Sequence, residues 1–384
     1  MSEPTDSLSN HAQRFRSALA SAARGLVERE ALVELVALSA IAGEHVLVIG
    51  PPGTAKSEAA RRVAATLGAR YFEYLLSRFT EPSEIFGPVD LRRLREGVVE
   101  TETAGMLPEA EVAFLDEVFL GSTAILNTLL AILNERTFRR GSTVKRCPLR
   151  ICVGASNVIP DDEALAAFAD RFLVRVFVEP IGDPLLEQLM QGGWSLMRSH
   201  VGEAFDLAQL DLLAEAARSA DVAPIRPRLA HAVRQLRAAG IILTDRRVVK
   251  LQALVAAAAV LGGRATPTEA DLWPIVYAVP TAAGQRTARD VLRDLLSASE
   301  NAALPVAAAE ASLGPLARAA VIVRAGREVL AERPQNGEPT ANAAWRLRLE
   351  GIAREIDAGF APDAAPAELR DMRAQIVAEL ASTR

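Results

Sequence analysis

A glycine- and proline-rich segment, GPPGTAKS at residues 50–57, has the residue types and spacing of a phosphate-binding loop. It stands between an apolar run and a helical pattern, so its backbone N–H groups would point at a phosphate, aided by the helix dipole. We expect Lys56 to reach the β- and γ-phosphates and the Ser57 hydroxyl to ligate Mg²⁺. The candidate nucleotide-binding residues of this loop are Gly50, Pro51, Pro52, Gly53, Thr54, Ala55, Lys56 and Ser57.

One position of the loop departs from the usual pattern, in which glycine precedes the lysine. Here that residue is Ala55. A small side chain suffices at this position if its φ angle is negative, because L-residues are disfavoured only at positive φ. On the loop alone, a Gly/Pro turn that merely precedes a lysine remains the alternative.

Two adjacent carboxylates end a second apolar run, VAFLDE at residues 112–117. Asp116 is placed to organise Mg²⁺ through its water shell, and Glu117 to orient and deprotonate an attacking water. In isolation such a pair is common by chance. About 60 residues after the phosphate loop and within the same α/β pattern, it predicts nucleoside triphosphate hydrolysis.

Polar residues further along the chain are candidates to complete this site. Asn157 ends the strand-like run ICVGASN and could hold the water or sense the γ-phosphate. Arg171 lies where an arginine finger could reach a neighbouring subunit's γ-phosphate, with Arg175 as the second choice. Arg246, preferred over Arg247, begins a helix and could fold over the nucleotide from above. The alternatives are a strand-ending Asn turn, a surface Asp/Arg pair and an ordinary basic residue in a first helical turn.

The elements that must position these residues alternate between strand-like and helical patterns. Strand-like runs lie at residues 45–50, 71–76, 112–115, 149–154 and 173–178. We therefore predict a three-layer α/β fold with a parallel sheet and helices on both faces. From residue 183 the pattern is helical, with starts expected at Asp206, Pro227, Thr244 and Thr268, of which all but Pro227 act as polar caps.

This organisation predicts three domains. Residues 1–182 form the α/β nucleotide-binding core with N-terminal helices, residues 183–285 a helical lid, and residues 286–384 a further C-terminal helical region. The last region is interrupted by a Pro/Gly/Asn loop, RPQNGEPT, at residues 333–340.

Composition narrows the class of protein. The formal net charge of −5 argues against a protein that generally coats nucleic acid, because neutralising phosphates needs a basic face. Cys147 and Cys152 provide neither a disulfide framework nor a metal-ligand set. The histidines are scattered, and the longest apolar stretch, LQALVAAAAVLG, is too short to span a bilayer. The N-terminus lacks the pattern of a signal peptide, so we expect a cytoplasmic protein.

Taken together, these residues resemble a AAA+ ATPase and, more narrowly, the RavA-like group of the MoxR family. The resemblance covers about residues 8–285 and is weaker beyond 290. Its most specific tracts are GLVEREALVELVALSAIAGEHVLVIGPPGTAKS at 25–57, SRFTEPSEIFGPVD at 77–90, FLDEVFLGSTAILNTLLAILNERTFRRG at 114–141 and LTDRR at 243–247.

The resemblance implies names and partners for these features. It makes 50–57 the Walker A motif, 112–117 the Walker B motif, Asn157 sensor 1, Arg171 the arginine finger and Arg246 sensor 2. It also implies ATP and Mg²⁺ as cofactors, and two inserts, a β-hairpin within 85–108 after a helix start and another around 137–150. MoxR-like proteins are similar in forming hexameric rings and in working with von Willebrand factor A proteins as assembly or maturation chaperones.

The C-terminal third of the chain departs from the RavA-like pattern. Proteins of that group have an extra insertion domain in the C-terminal third, whereas the corresponding residues here look helical. A RavA-specific partner is therefore not inferred.

The sequence is compatible with three functions. The leading hypothesis is an ATP-driven chaperone that remodels protein clients, in which Glu117 activates water and a neighbour's Arg171 completes the site. A nucleic-acid translocase is the second, because the hairpin around 137–150 is basic, and a chelatase-like ring ATPase is related to it. A P-loop small-molecule kinase is the third and would need an acceptor pocket. The basic residues of the hairpin region are Arg136, Arg139, Arg140, Lys145, Arg146 and Arg150.

Overall fold

The computed structural model describes residues 4–196, 205–299, 301, 303–313, 315–334, 339–359 and 365–382. The described residues cluster into two compact units. The larger unit lies within residues 1–24, 29–179 and 200–312, and the smaller within residues 25–28, 180–199 and 313–384. The three domains proposed from the sequence remain a prediction, because compact clusters of contacts are not a test of independently folding domains.

The centre of the larger unit is a five-stranded parallel sheet in the order β2-β3-β6-β1-β7. A separate antiparallel hairpin consists of β4 and β5. The strands are β1 (Val46–Ile49), β2 (Tyr71–Leu75), β3 (Val112–Asp116), β4 (Thr137–Arg140), β5 (Thr143–Arg146), β6 (Ile151–Ser156) and β7 (Val174–Phe177). The central strands β1 and β6 are buried along their whole length, as expected of parallel strands covered on both faces.

Helices account for most of the remaining described residues. They are α1 (Pro4–Ala23), α2 (Glu30–Ala42), α3 (Lys56–Thr66), α4 (Pro82–Phe86), α5 (Leu91–Arg95), α6 (Thr123–Glu135), α7 (Glu163–Ala169), α8 (Leu186–Leu196), α9 (Leu207–Ser219), α10 (Arg226–Ala238), α11 (Asp245–Leu261), α12 (Ala282–Val291), α13 (Arg293–Leu296), α14 (Pro305–Leu313), α15 (Pro315–Ala331), α16 (Pro339–Gly359) and α17 (Ala367–Ser382). The predicted fold class, a three-layer α/β core followed by helical regions, is confirmed.

The sheet packs between helices through strand side chains that alternate between its two faces. Successive residues of a strand point to opposite faces. Leu47 of β1 and Leu115 of β3 pack in one buried cluster with Ile125 and Leu129 of α6. Helix α2 packs on β1, β6 and β7, and α3 on β2 and β3. This packing fixes the ends of the strands, where the candidate site residues lie.

The predicted polar caps start their helices as expected, with one difference. The side chains of Asp206 and Thr244 accept hydrogen bonds from the backbones of Ala208 and Arg247 and so cap α9 and α11. Thr268 forms a reciprocal capping box with Asp271, but the element that follows is a 3₁₀ turn at Glu269–Asp271. The short turn is soon followed by Pro274, which lacks an N–H donor.

The two expected inserts differ in outcome. The hairpin around 137–150 is present as β4 and β5. Within 85–108 the predicted hairpin is wrong in detail, because its tract follows α4 but begins with the helix α5. Its arms meet in a single antiparallel bridge between Val89 and Thr101 and form no strand.

The smaller unit contains α8 and the C-terminal helices α15–α17. Its core packs residues from all three of the latter, among them Ile322, Leu349 and Leu369. The residues described beyond 286 form helices and their connections, as predicted. Residues 335–338 of the predicted Pro/Gly/Asn loop and His200 lie outside the described residues.

Cys147 and Cys152 are free and buried, and burial raises their pKa values to about 11 and about 12. Among the described residues, no group of three or more His, Cys, Asp or Glu side chains is arranged to hold a metal ion. None of the described helices combines the length and the apolar character needed to cross a bilayer.

Candidate nucleotide-binding site

The phosphate loop follows β1 directly and is anchored to both neighbouring strands. The Gly50 N–H donates to the Ser156 carbonyl at the end of β6, at 3.1 Å. A Cβ at Gly50 would lie 2.2 Å from the Val178 carbonyl oxygen beyond β7. Glycine is therefore required here because the backbone at Val178 passes too close for a side chain.

Two residues of the loop have left-handed backbone conformations. Gly53 has φ +78° and Ala55 has φ +61°, immediately before α3 begins at Lys56. The condition under which alanine would be unstrained, a negative φ, is thus not met. A left-handed conformation costs an L-residue roughly 1–2 kcal/mol. Strain of this kind is concentrated at functional sites, where the surrounding structure holds it in place.

Lys56 lies at the centre of the loop. Its Nζ donates to the carbonyls of Gly50 at 2.6 Å and Pro51 at 3.0 Å. Burial lowers the pKa of Lys56, and the nearby carboxylates of Asp116 and Glu117 oppose that shift. The loop lysine and the acidic pair, which are distant in sequence, are therefore close enough in space to interact.

The acidic pair and Asn157 lie side by side because β3 and β6 are neighbours in the sheet. Glu117 has φ +47°, and its N–H donates to Asp116 Oδ1 at 3.0 Å. Asn157 Nδ2 donates to Glu117 Oε1 at 2.6 Å. This amide holds the Glu117 carboxylate in one orientation while the second carboxylate oxygen can accept another hydrogen bond.

These side chains surround a cavity of about 330 Å³. It is lined by Pro52, Gly53, Thr54, Ala55, Lys56, Ser57, Asp116, Glu117 and Asn157. A lysine ammonium and the amides of a loop at a helix N-terminus suit phosphate oxygens. A hydroxyl and a carboxylate are the oxygen ligands that Mg²⁺ uses beside phosphates. The donor set therefore fits a nucleoside triphosphate with Mg²⁺.

Arg29 is a residue of this site that the sequence did not single out. Its Nε donates to the Thr54 carbonyl at 2.8 Å and its Nη2 to the Glu179 carbonyl at 2.7 Å. The residue is 6% exposed and precedes α2. It stood within the tract at 25–57 that carries the family resemblance, but nothing in its spacing indicated a contact with the loop.

The structure places Arg171 and Arg246 away from this cavity. Arg171 precedes β7, at the amino edge of the sheet, whereas the phosphate loop lies at the carboxyl edge. Arg246 donates to Asn134 Oδ1 at 3.0 Å, and Lys250, one turn later, pairs with Glu44 just before β1. The path from Glu44 to Gly50 spans about 20 Å at ~3.3 Å per residue.

This position corrects the expectation for Arg246. Because the first turn of α11 packs at the amino edge, Arg246 does not fold over the phosphate loop of its own chain. Arg171 lies at the same edge of the sheet.

The two alternative arginines have buried, structural contacts. Arg247 is 2% exposed, pairs with Asp170 at 2.7 Å and donates to the carbonyls of Phe172, Leu173 and Ala278. Arg175 is 3% exposed and donates to the Phe172 and Ala169 carbonyls. Burial lowers its pKa to about 9. Neither side chain is exposed to another molecule.

Arg171, in contrast, keeps donor capacity. Among the described residues, its buried Nε has no hydrogen-bond partner. Burial lowers the pKa of Arg171, and the nearby Arg246 lowers it further, while Asp170 opposes the shift. Two neighbouring cations form a place where an anion would be favourable.

Comparison with known proteins agrees with this arrangement. Residues 13–215, just over half of the chain, match the family model for the MoxR domain of MoxR–vWA–β-propeller ternary systems. The chain belongs to the MoxR family of AAA+ ATPases.

Relatives of known sequence match between about half and two thirds of the chain. Two uncharacterized proteins of Methanocaldococcus jannaschii, MJ0812 and MJ0079, are each 36% identical to the chain, over 64% and 62% of its length. The matches span 66% and 62% of those two proteins, just under two thirds of their length. A structural protein of Acidianus two-tailed virus, ORF618, is 30% identical over 49% of the chain and 32% of its own length.

A solved structure shows the same fold. A protein of Cytophaga hutchinsonii that carries a provisional ATPase assignment superposes with a TM-score of 0.60 over 77% of this chain and 96% of its own. Its sequence identity is 13%, so the likeness shows the AAA+ fold alone.

Proposed function

We propose that this MoxR protein is a ring-forming motor that hydrolyses ATP with Mg²⁺ in the cavity beside the phosphate loop. The observation that carries the proposal is the hydrogen bond from Asn157 to Glu117 at the edge of a cavity that Lys56 and Asp116 also line. A general base must be held within reach of its water, and the amide holds Glu117 there.

Each residue of the cavity has a separate task in this proposal. The loop amides and Lys56 bind the phosphates, and Ser57 and Asp116 hold Mg²⁺, Asp116 partly through water. When bound, Mg²⁺ neutralises the charge that develops on the phosphates. Glu117 accepts the proton of the attacking water, and Asn157 orients that carboxylate.

We further propose that Arg171 and Arg246 complete the site of a neighbouring copy. They lie at the amino edge of the sheet, and the path along β1 from that edge to the phosphate loop spans about 20 Å. Their side chains form a cationic pair, which an anionic phosphate of another subunit would satisfy. A ring, with six subunits as in the proteins it resembles, provides such a neighbour for every copy.

The biological task is proposed from the family. The matching family model describes MoxR domains that act in ternary systems with a vWA and a β-propeller component. We therefore propose a von Willebrand factor A partner, a cytoplasmic location and a chaperone role in remodelling or maturing protein clients. The RavA-like assignment rests on the sequence tracts alone and stays a prediction.

The nucleic-acid alternative is not favoured by the basic hairpin. Arg136 donates to the Gly43 carbonyl, Arg140 to the Gly87 carbonyl, and Lys145 pairs with Glu109. Arg150 is held by Asp211. Most of the cations that could bind a phosphate backbone are thus used in holding the hairpin region to the rest of the larger unit.

The proposal is tested by measuring ATP turnover and ATP binding for the wild type and Glu117→Gln. We expect the variant to bind ATP as tightly as the wild type but to turn it over ~10²–10⁴-fold more slowly, the usual contribution of a general base. Glu215→Gln on α9, which changes an exposed carboxylate paired with Arg218, is the matched control. Wild-type turnover by Glu117→Gln would overturn the assignment of the base.

A further inference from the structure

Arg29 lies at a point where the chain passes between the two compact units. The chain leaves the larger unit after residue 24, returns at residue 29, and leaves it again after residue 179. Arg29 is thus the first residue after one crossing, and Glu179, whose carbonyl it binds, is the last residue before another. The third partner in this contact is the Thr54 carbonyl of the phosphate loop.

The local backbone is arranged to bring this side chain to the loop. Glu28 has φ +53°, a conformation that non-glycine residues rarely adopt. The carbonyl of Arg29 then accepts from the Val33 N–H and starts α2, which packs on the central strands. The base of the Arg29 side chain is therefore fixed to the sheet, while its guanidinium joins the loop to the segment that follows β7.

The guanidinium suits this task because it is planar and carries several donors in a fixed fork. Nε and Nη2 bind two carbonyls that belong to separate segments of the chain. A change in the path of the phosphate loop at Thr54 must therefore act on the guanidinium and, through it, on Glu179.

From this geometry we infer that Arg29 is a positioning residue that holds the phosphate loop for nucleotide and couples its occupancy to the segments that lead into the smaller unit. The inference rests on the proposed function in one respect, that the loop binds nucleotide. By thermodynamic linkage the coupling is reciprocal, so the state of those segments also changes the affinity for nucleotide.

The test compares nucleotide affinity with amide hydrogen exchange in the full-length protein. In the wild type we expect ATP and ADP to slow exchange in peptides that cover residues 25–28 and 185–196. Arg29→Lys keeps the charge but not the fork. It is expected to bind ADP about tenfold more weakly, because two charge-assisted hydrogen bonds are lost or lengthened. Even at saturating ADP, Arg29→Lys should not show the slower exchange in these two peptides that ADP causes in the wild type.

Arg62→Lys is the matched control, because Arg62 is equally buried and donates to the Ala22 and Ser21 carbonyls but to none of the loop. It is expected to lose a similar amount of thermal stability while keeping the wild-type affinity for ADP and the exchange response. A purely structural role for Arg29 would give the two variants the same behaviour and would overturn the inference.

The remaining outcomes separate this inference from the proposed function. If the wild type binds neither ATP nor ADP, the proposed function fails. If the wild type binds nucleotide but exchange in the two peptides is unchanged, or if Arg29→Lys keeps both affinity and response, only the coupling is wrong. Should Arg29→Lys not fold, Arg29→Gln, which retains one N–H₂ donor group, is judged by the same two measurements.

Discussion

The two edges of the central sheet are built for different tasks. At the carboxyl edge, Lys56, Asp116, Glu117 and Asn157 face one cavity and interact with one another. At the amino edge, Arg171 and Arg246 lie close together, and neither lines that cavity. In the function proposed above, the carboxyl edge holds the groups that bind ATP and activate water, and the amino edge holds the cations that act on a neighbouring copy. The difference argues for a reaction site assembled from two copies of the chain.

The largest effect is expected for Arg171→Ala. If Arg171 completes a neighbour's site, turnover should fall ~10³–10⁵-fold, the usual contribution of an arginine finger, which corresponds to ~4–7 kcal/mol of activation free energy. ATP binding should change little, because the phosphate loop of each chain is intact. Steady-state turnover and ATP titration of the variant measure the two effects.

Mixed assemblies of two inactive variants test whether Arg171 acts on a neighbouring subunit. Arg171→Ala subunits retain Glu117, and Glu117→Gln subunits retain Arg171. Some subunit interfaces of a mixed assembly therefore combine an unchanged Glu117 with an unchanged Arg171 of the neighbour. Mixing the two inactive variants should therefore restore part of the turnover. A mixture as inactive as its components would contradict the assembly of the site from two chains.

The next largest effect separates two adjacent arginines of the amino edge. Arg247→Met removes the partner of Asp170 and the donor to three carbonyls, and should lower the free energy of unfolding by ~3–5 kcal/mol, as is usual when a buried pair is broken. Arg246→Met should change it by less than about 0.5 kcal/mol, as for most surface substitutions. Arg246→Met should keep the wild-type stability but show lower ATP turnover. Urea unfolding and ATP turnover distinguish the two, and equal stabilities would show that Arg247 is not the structural member.

This pair also shows what the sequence can and cannot predict. The fold, the strand positions and the placement of Lys56, Asp116 and Asn157 at strand ends follow from local patterns, because carboxyl ends of parallel strands meet at one edge. In TDRR, however, neighbouring residues of a helix point about 100° apart, and only tertiary packing decides which one faces inward. The contact of Arg29 with the loop and the route of α11 to the amino edge likewise depend on the whole chain.

A smaller effect on turnover is expected for a change of Asn157 at the carboxyl edge. Asn157→Ala removes the amide that orients Glu117 and should lower kcat ~10²–10³-fold, the range found when one fixed donor of an active site is removed. The KM for ATP should stay within about threefold, because the amide is not needed for ground-state binding. Asn127→Ala on the exposed side of α6 is the control and should leave both constants unchanged. A rise in KM without a fall in kcat would assign Asn157 to binding instead.

The smallest effect concerns the left-handed Ala55. Ala55→Gly relieves a conformation that costs an L-residue about 1–2 kcal/mol, less the entropy that glycine loses on folding, so the free energy of unfolding should rise by roughly 0.5–1 kcal/mol. The same substitution in the exposed helical residue Ala65 of α3 should lower it by about 1 kcal/mol. Opposite signs for one chemical change would show that the carboxyl edge stores backbone strain beside the phosphate loop. A loss of stability in both variants would mean that Ala55 is not strained and that its φ angle does not distinguish this loop from one with glycine.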